Sequence, residues 1–138
     1  MHRRSSTFLI GLTLICVATA VPVVAPAAST GGASKVTLRE WAIARAPASA
    51  TAGKITFIVK NSGKSKHEFI VMRTNVPAGK LPAKNGRVSE KGSKGEIGDL
   101  APGVTKRLTL TLAKGKYVLI CNIAGHYQAG QHAAFTVR

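Results

Sequence analysis

The chain predicts an all-β fold, a two-sheet sandwich of about 100 residues. From position 35 onward apolar residues recur with period two, and turn residues interrupt them at short intervals. No window of comparable length shows a helical period.

The first residues, MHRRSSTFLIGLTLICVATAVPVVAPAAST, stand outside that pattern. Arg3 and Arg4, an apolar run from Phe8 to about Val24, and Ala25, Ala27 and Ala28 together give the layout of a secretory signal peptide over 1–28. Pro22 and Pro26 cut the run short of the roughly 20 clean apolar residues of a spanning helix, which favours cleavage over a retained anchor. The expected location is therefore periplasmic or extracellular, with a flexible segment over 29–34 leading into a domain over 35–138.

Strands are predicted at 35–43 (KVTLREWAI), 54–61 (KITFIVKN), 67–73 (HEFIVMR), 104–113 (VTKRLTLTLA), 117–123 (YVLICNI) and 132–138 (HAAFTVR). The second sets Ile55, Phe57 and Val59 on one face, and the third does the same with His67, Phe69 and Val71. Trp41, Phe57, Phe69 and Phe135 are read as core, and Met72, facing away from His67, also as core. The stretch 74–103 contains Pro77, Pro82 and Pro102 and the cations Lys80, Lys84, Arg87, Lys91 and Lys94. Its length marks it as a docking surface or a solvated insertion, with a short helix or an edge strand left open.

Charge and cysteine content narrow the function. The chain has 20 Lys plus Arg against 5 Asp plus Glu, and loss of Arg3 and Arg4 leaves 18 against 5, or +13. An exported protein so charged meets acidic redox proteins, anionic lipid headgroups or cell-wall polymers in place of nucleic acid, unless the lysines serve solubility alone. Cys16 leaves with the leader, so Cys121 remains without a disulfide partner. A lone thiol in an oxidising compartment has to be buried, reactive or ligated.

Around that thiol lies the densest chemistry of the chain, CNIAGHYQAGQH over 121–132. A histidine such as His67, opening a strand after a turn, is ordinary by itself, and so is a cysteine ending an apolar strand. Together, two imidazoles, one soft thiolate and a weak fourth donor suit an ion that cycles between Cu(I) and Cu(II). Cys121, His126 and Gln131 would come from one loop and His67 from across the sandwich. His132, next to Gln131, points by alternation to the other face and is read as a rim residue.

The strand HEF after the turn NSGKSK and the segment YVLICNIAGHYQAGQHAAFTV resemble the cupredoxins, the small blue copper proteins of the plastocyanin and azurin type, in particular exported bacterial members. The resemblance covers nearly all of 36–138. It implies a Greek-key β-sandwich or barrel with one long loop insertion. One type 1 copper ion is implied as cofactor, ligated by His67 Nδ1, Cys121 Sγ and His126 Nδ1, together with one-electron transfer in place of enzymatic catalysis. Two positions depart from the family pattern. Gln131 stands where methionine is the usual axial group, so either an amide coordinates or it turns to solvent. Glu68 stands where asparagine often ties the ligand loops, so the tie has to be made differently.

The leading expectation is a monomeric electron carrier with an acidic redox partner and, as a second kind of surface, anionic membrane. Copper delivery, storage or resistance is the alternative. A Cys/His nucleophilic enzyme is disfavoured, because no third group stands clearly beside His126.

Overall fold

The structure, a computed structural model, describes residues 32–138. The signal peptide assigned to 1–28, Cys16 within it, and positions 29–31 lie outside the described residues. Alternating apolar residues build two sheets that face each other. One has the order β2 (Ala42–Ala46), β1 (Gly32–Arg39), β4 (Gly53–Asn61), β9 (Thr105–Leu112); β1 and β4 run parallel and the other pairs antiparallel. The other has the order β3 (Ser49–Ala50), β11 (His132–Val137), β10 (Gly115–Ile120), β5 (His67–Arg73), β8 (Ser93–Leu100). A two-stranded ribbon, β6 (Ala83–Lys84) with β7 (Arg87–Val88), lies apart from both.

The main core lies between the sheets, where Leu38, Ile55, Phe57, Val59, Phe69, Leu119 and Phe135 are fully or almost fully buried. Phe57 packs at tilted angles on Phe69 and Phe135, with ring centroids 5.4 and 5.2 Å apart. That geometry suits the ring quadrupoles. Beside β8, a Cβ on Gly95 would lie 2.6 Å from Leu110 Cδ2, so the missing side chain lets β9 close against β8.

Several sequence expectations change here. The predicted strand 35–43 is two strands, because the chain reverses at Glu40 and Trp41 and β2 returns along β1. Residues 32–34, expected to be flexible, are already paired with β4; Ser34 is buried and its hydroxyl donates to Pro47 O at 2.8 Å. The open question over 74–103 resolves into the β6–β7 ribbon and the edge strand β8. No helix is present among the described residues, and none therefore is long and apolar enough to cross a membrane.

The 74–92 segment has a structural task of its own. It covers the outer face of the five-stranded sheet, where Val88, Ala78 and Leu81 pack with Ile70, Met72, Val118, Ile120 and Tyr127 in a second core. Met72 is core, as expected, but in this cluster. β10 is consequently buried on both faces, which its unbroken YVLI reflects. Truncating a ring in the main core tests the packing: Phe57→Ala should cost about 3–5 kcal/mol, measured by urea denaturation of the purified protein.

Candidate metal centre

The site forms at one end of the sandwich, where β5 begins and β10 ends. These strands are antiparallel neighbours with Ile120 opposite Ile70, so the first residue of β5 and the residue after β10 meet without any long connection. His67 and Cys121 are fully buried, and His126 reaches back from the loop that follows. Cys121 Sγ lies 3.4 Å from His126 Nδ1 and 4.0 Å from His67 Nδ1. One donor atom from each residue falls within 4.8 Å of the others. Two imidazole nitrogens and a thiolate so placed fit one type 1 copper ion.

Electrostatics favour the ligand form of the imidazole, whereas the thiol takes its ligand form only with a metal bound. Burial pushes the His67 pKa down, against the pull of the Glu40 carboxylate, so the ring is neutral at neutral pH. Burial raises the Cys121 pKa, so without a metal the thiol holds its proton. A bound cation deprotonates such a thiol outright. The sulfur also accepts a hydrogen bond from Glu68 N at 3.2 Å. Position 68 thus contributes through its backbone, while the half-buried Glu68 carboxyl has its pKa raised by desolvation.

Gln131 is completely buried, which excludes the solvent-facing alternative. Its backbone N–H donates to His126 O and its carbonyl accepts from Cys121 N, both at 3.1 Å, closing the neck of the ligand loop. The amide Nε2 donates to Arg39 O at 2.8 Å. Its Oε1 finds no protein partner, a costly state for a buried acceptor. That orphaned oxygen is the atom an axial donor would offer. His132 is not part of the cluster; its half-buried ring lies against Tyr127, centroids 5.1 Å apart, and burial lowers its pKa.

Sequence reasoning missed three residues here. Glu40, at the reversal between β1 and β2, accepts from Lys64 N and Ser65 N at 2.7 and 2.8 Å and places Oε1 3.5 Å from His67 Nε2. Those backbone donors, the Ser65 N–H foremost, hold its pKa at about 2, so it is a carboxylate. Asn61 shapes the same turn by donating to Ser65 O and Leu100 O and accepting from Gly63 N, each at 2.8 Å. Asn122, directly after the cysteine, supplies the tie that position 68 does not. It accepts from Val88 N at 2.8 Å and donates to Val88 O and Glu90 Oε1 at 3.0 and 2.8 Å, locking the ligand loop to the covering segment.

Trp41 corrects a further expectation. It is 47% exposed, not core, and its ring stands edge-on to His126 with centroids 4.9 Å apart. The reversal at Glu40 and Trp41 therefore touches both imidazoles, one residue on each. The signal available in the sequence was the scarcity of acids, which makes a single glutamate inside an otherwise apolar and basic segment unusual.

No family model matches the chain and no curated protein matches it. Solved structures do. Reduced auracyanin from Roseiflexus castenholzii is 21% identical, with a TM-score of 0.58, over 80% of this chain and 98% of that one. Rusticyanin from Thiobacillus ferrooxidans is 15% identical over 79% of each chain, TM-score 0.58. An azurin from Methylomonas sp. strain J is 13% identical over 80% of this chain and 99% of that one, TM-score 0.55. The chain thus has the cupredoxin fold. A further neighbour, auracyanin A from Chloroflexus aurantiacus, is described as a "blue" copper protein and is 21% identical over 75% of this chain and 99% of that one, TM-score 0.52.

The turn before His67 gives a test of how the site is held. A Cβ on Gly63 would lie 2.6 Å from Glu40 Oε1 and 2.8 Å from His67 Nε2. Gly63→Ala should therefore displace the carboxylate, the ring or both, and weaken copper binding about 10–100-fold, read by competition with a chelator of known affinity.

Proposed function

We propose that this protein is an exported one-electron carrier that holds a single type 1 copper ion through His67 Nδ1, Cys121 Sγ and His126 Nδ1, with Gln131 Oε1 as axial donor. The observation that carries the proposal is the convergence of one thiol and two imidazole nitrogens within 4.8 Å on a cupredoxin fold. Bound copper supplies the Cu(I)/Cu(II) couple, and the protein's part is to hold one geometry for both states. Asn61, Asn122 and the neck bonds of Gln131 fix the donors before any ion arrives, which limits the rearrangement accompanying each electron. His126, alone of the four donors, is not fully buried, and it gives the electron its shortest route to the surface.

Burial also separates this reading from its alternatives. A delivery or storage protein has to surrender its ion to a competitor, whereas His67, Cys121 and Gln131 are closed to incoming ligands. A nucleophilic enzyme needs an accessible, acidified thiol, and Cys121 is buried with its pKa raised. The partner we infer is an acidic redox protein met by a monomer carrying the +13 field.

Three outcomes are expected. The copper-loaded protein should show the intense visible thiolate-to-Cu(II) band, and Cys121→Ser should abolish it, since a hydroxyl provides no such charge transfer; a Cys121→Ser protein that stayed blue would refute the ligand set. Gln131→Met should raise the reduction potential in voltammetry, because a thioether favours Cu(I) where the harder amide oxygen favours Cu(II). Electron transfer to an acidic partner should slow steeply with added salt in stopped-flow measurements, as screening shortens the reach of the field to about 8 Å at physiological ionic strength.

A further inference from the structure

The outer face of the β2-β1-β4-β9 sheet carries charge of one sign and is left bare by the other described residues. Register places Ala46, Lys35, Ile58 and Arg107 in one row across it and Ala44, Thr37, Lys60 and Thr105 in the next. Arg39 and Lys54 extend the two ends of the same face, beside Ala42 and Thr111 respectively. All five cations are exposed, and no salt bridge among the described residues engages any of them. Between them stand alanines and threonines, with Thr56 and Thr109 sharing a hydroxyl hydrogen bond of 2.9 Å.

The protein's five acids are all elsewhere. Glu68, Glu96 and Asp99 lie on β5 and β8 in the opposite sheet, Glu90 three residues before β8, and Glu40 is folded onto the turn before His67. The two sheets differ in cover as well: the 74–92 segment buries the outer face of one, and no described segment packs on the other. The result is a four-stranded face with five positive charges and no negative one.

We propose that this face seats the protein on a membrane surface rich in anionic phospholipid headgroups. Charge complementarity is the first argument, since clustered Lys and Arg are drawn to the negative potential of such a surface. The second is the absence of an anchor. A protein partner of good affinity wants an aromatic or a large aliphatic side chain to bury. This face offers only the half-buried Ile58, while the exposed Trp41 sits at the metal end. Short threonine hydroxyls between the cations add donors for phosphate oxygens without hindering close approach. Docked by this flank, the protein keeps the end with His126 and Trp41 free for a redox partner, but the flank's chemistry does not depend on copper.

The experiment is sedimentation of the purified protein with vesicles of phosphatidylglycerol and phosphatidylcholine. Vesicles of phosphatidylcholine alone measure any binding through the apolar N-terminal run. Anionic vesicles should pull the protein down at low salt and release it at high salt. The variant Lys35→Gln/Lys54→Gln/Lys60→Gln/Arg107→Gln, checked for an unchanged circular dichroism spectrum, should lose affinity by more than about a hundredfold, at roughly fivefold per cation removed. Lys80→Gln/Lys84→Gln/Lys91→Gln/Lys94→Gln has the same net charge and should lose less than about tenfold. Equal losses in the two variants would overturn the proposal, as would no binding to the anionic vesicles, or a first variant that loses binding to an acidic protein added in their place while still binding the vesicles. An unchanged visible spectrum in both variants keeps this result separate from the copper reading.

Discussion

The pairing of β10 with β5 is the contact on which the rest of the molecule depends. It brings the start of one strand beside the end of the other, so His67 and Cys121, 54 positions apart, meet at the end of a rigid sheet. Backbone hydrogen bonds across the pair fix that meeting more firmly than loops could. The loop after Cys121 then has only to turn back far enough to present His126 and Gln131. The 74–92 cover acts on the same pair, since it buries Ile70, Met72, Val118 and Ile120 on the face away from the main core. A surface insertion would leave those strands half solvated, whereas here they are packed from both sides.

The donors within one loop were legible in the sequence because covalent proximity reveals them: Cys121, His126 and Gln131 lie within eleven residues. His67 was legible through its strand and through resemblance to cupredoxins. Alternation continues through the reversal at Glu40 and Trp41, so two short antiparallel strands read as one long one and Trp41 reads as core. β8 escapes the sequence for a related reason. Its buried residues, Ile97 and Leu100, are three apart, and the shifts in its register with β5 remove the period-two signature. Glu40 and Asn122 act through backbone groups far away in the chain, and no local pattern announces such bonds. The second core did leave a signal, the unbroken apolar run of β10.

The acids are segregated by sheet. Most of them gather on the β5 and β8 side of one, and the exposed outer face of the other carries cations alone. The exception is Glu40, whose carboxylate is spent on two backbone N–H groups and on the vicinity of His67. The electrostatic field that an approaching partner feels and the one that the metal site feels are therefore set by different residues. Substitutions on the flank alter the first with little effect on the second.

That separation bears on how a copper potential would be set. The cationic surface disfavours the more positive oxidised state, and so does burial in a poorly solvated end of the sandwich. Opposing them are Glu40, ionised and 3.5 Å from His67 Nε2, and the unpartnered oxygen of Gln131, a harder donor than a thioether. Range decides between them: salt screens surface cations over about 8 Å, whereas an adjacent carboxylate and an inner amide act inside that distance. The local groups thus outweigh the surface field. On the proposed ligand set, Glu40 and Gln131 are the two residues that pull the potential down against burial, Glu40 held by Lys64 N and Ser65 N and Gln131 by Arg39 O.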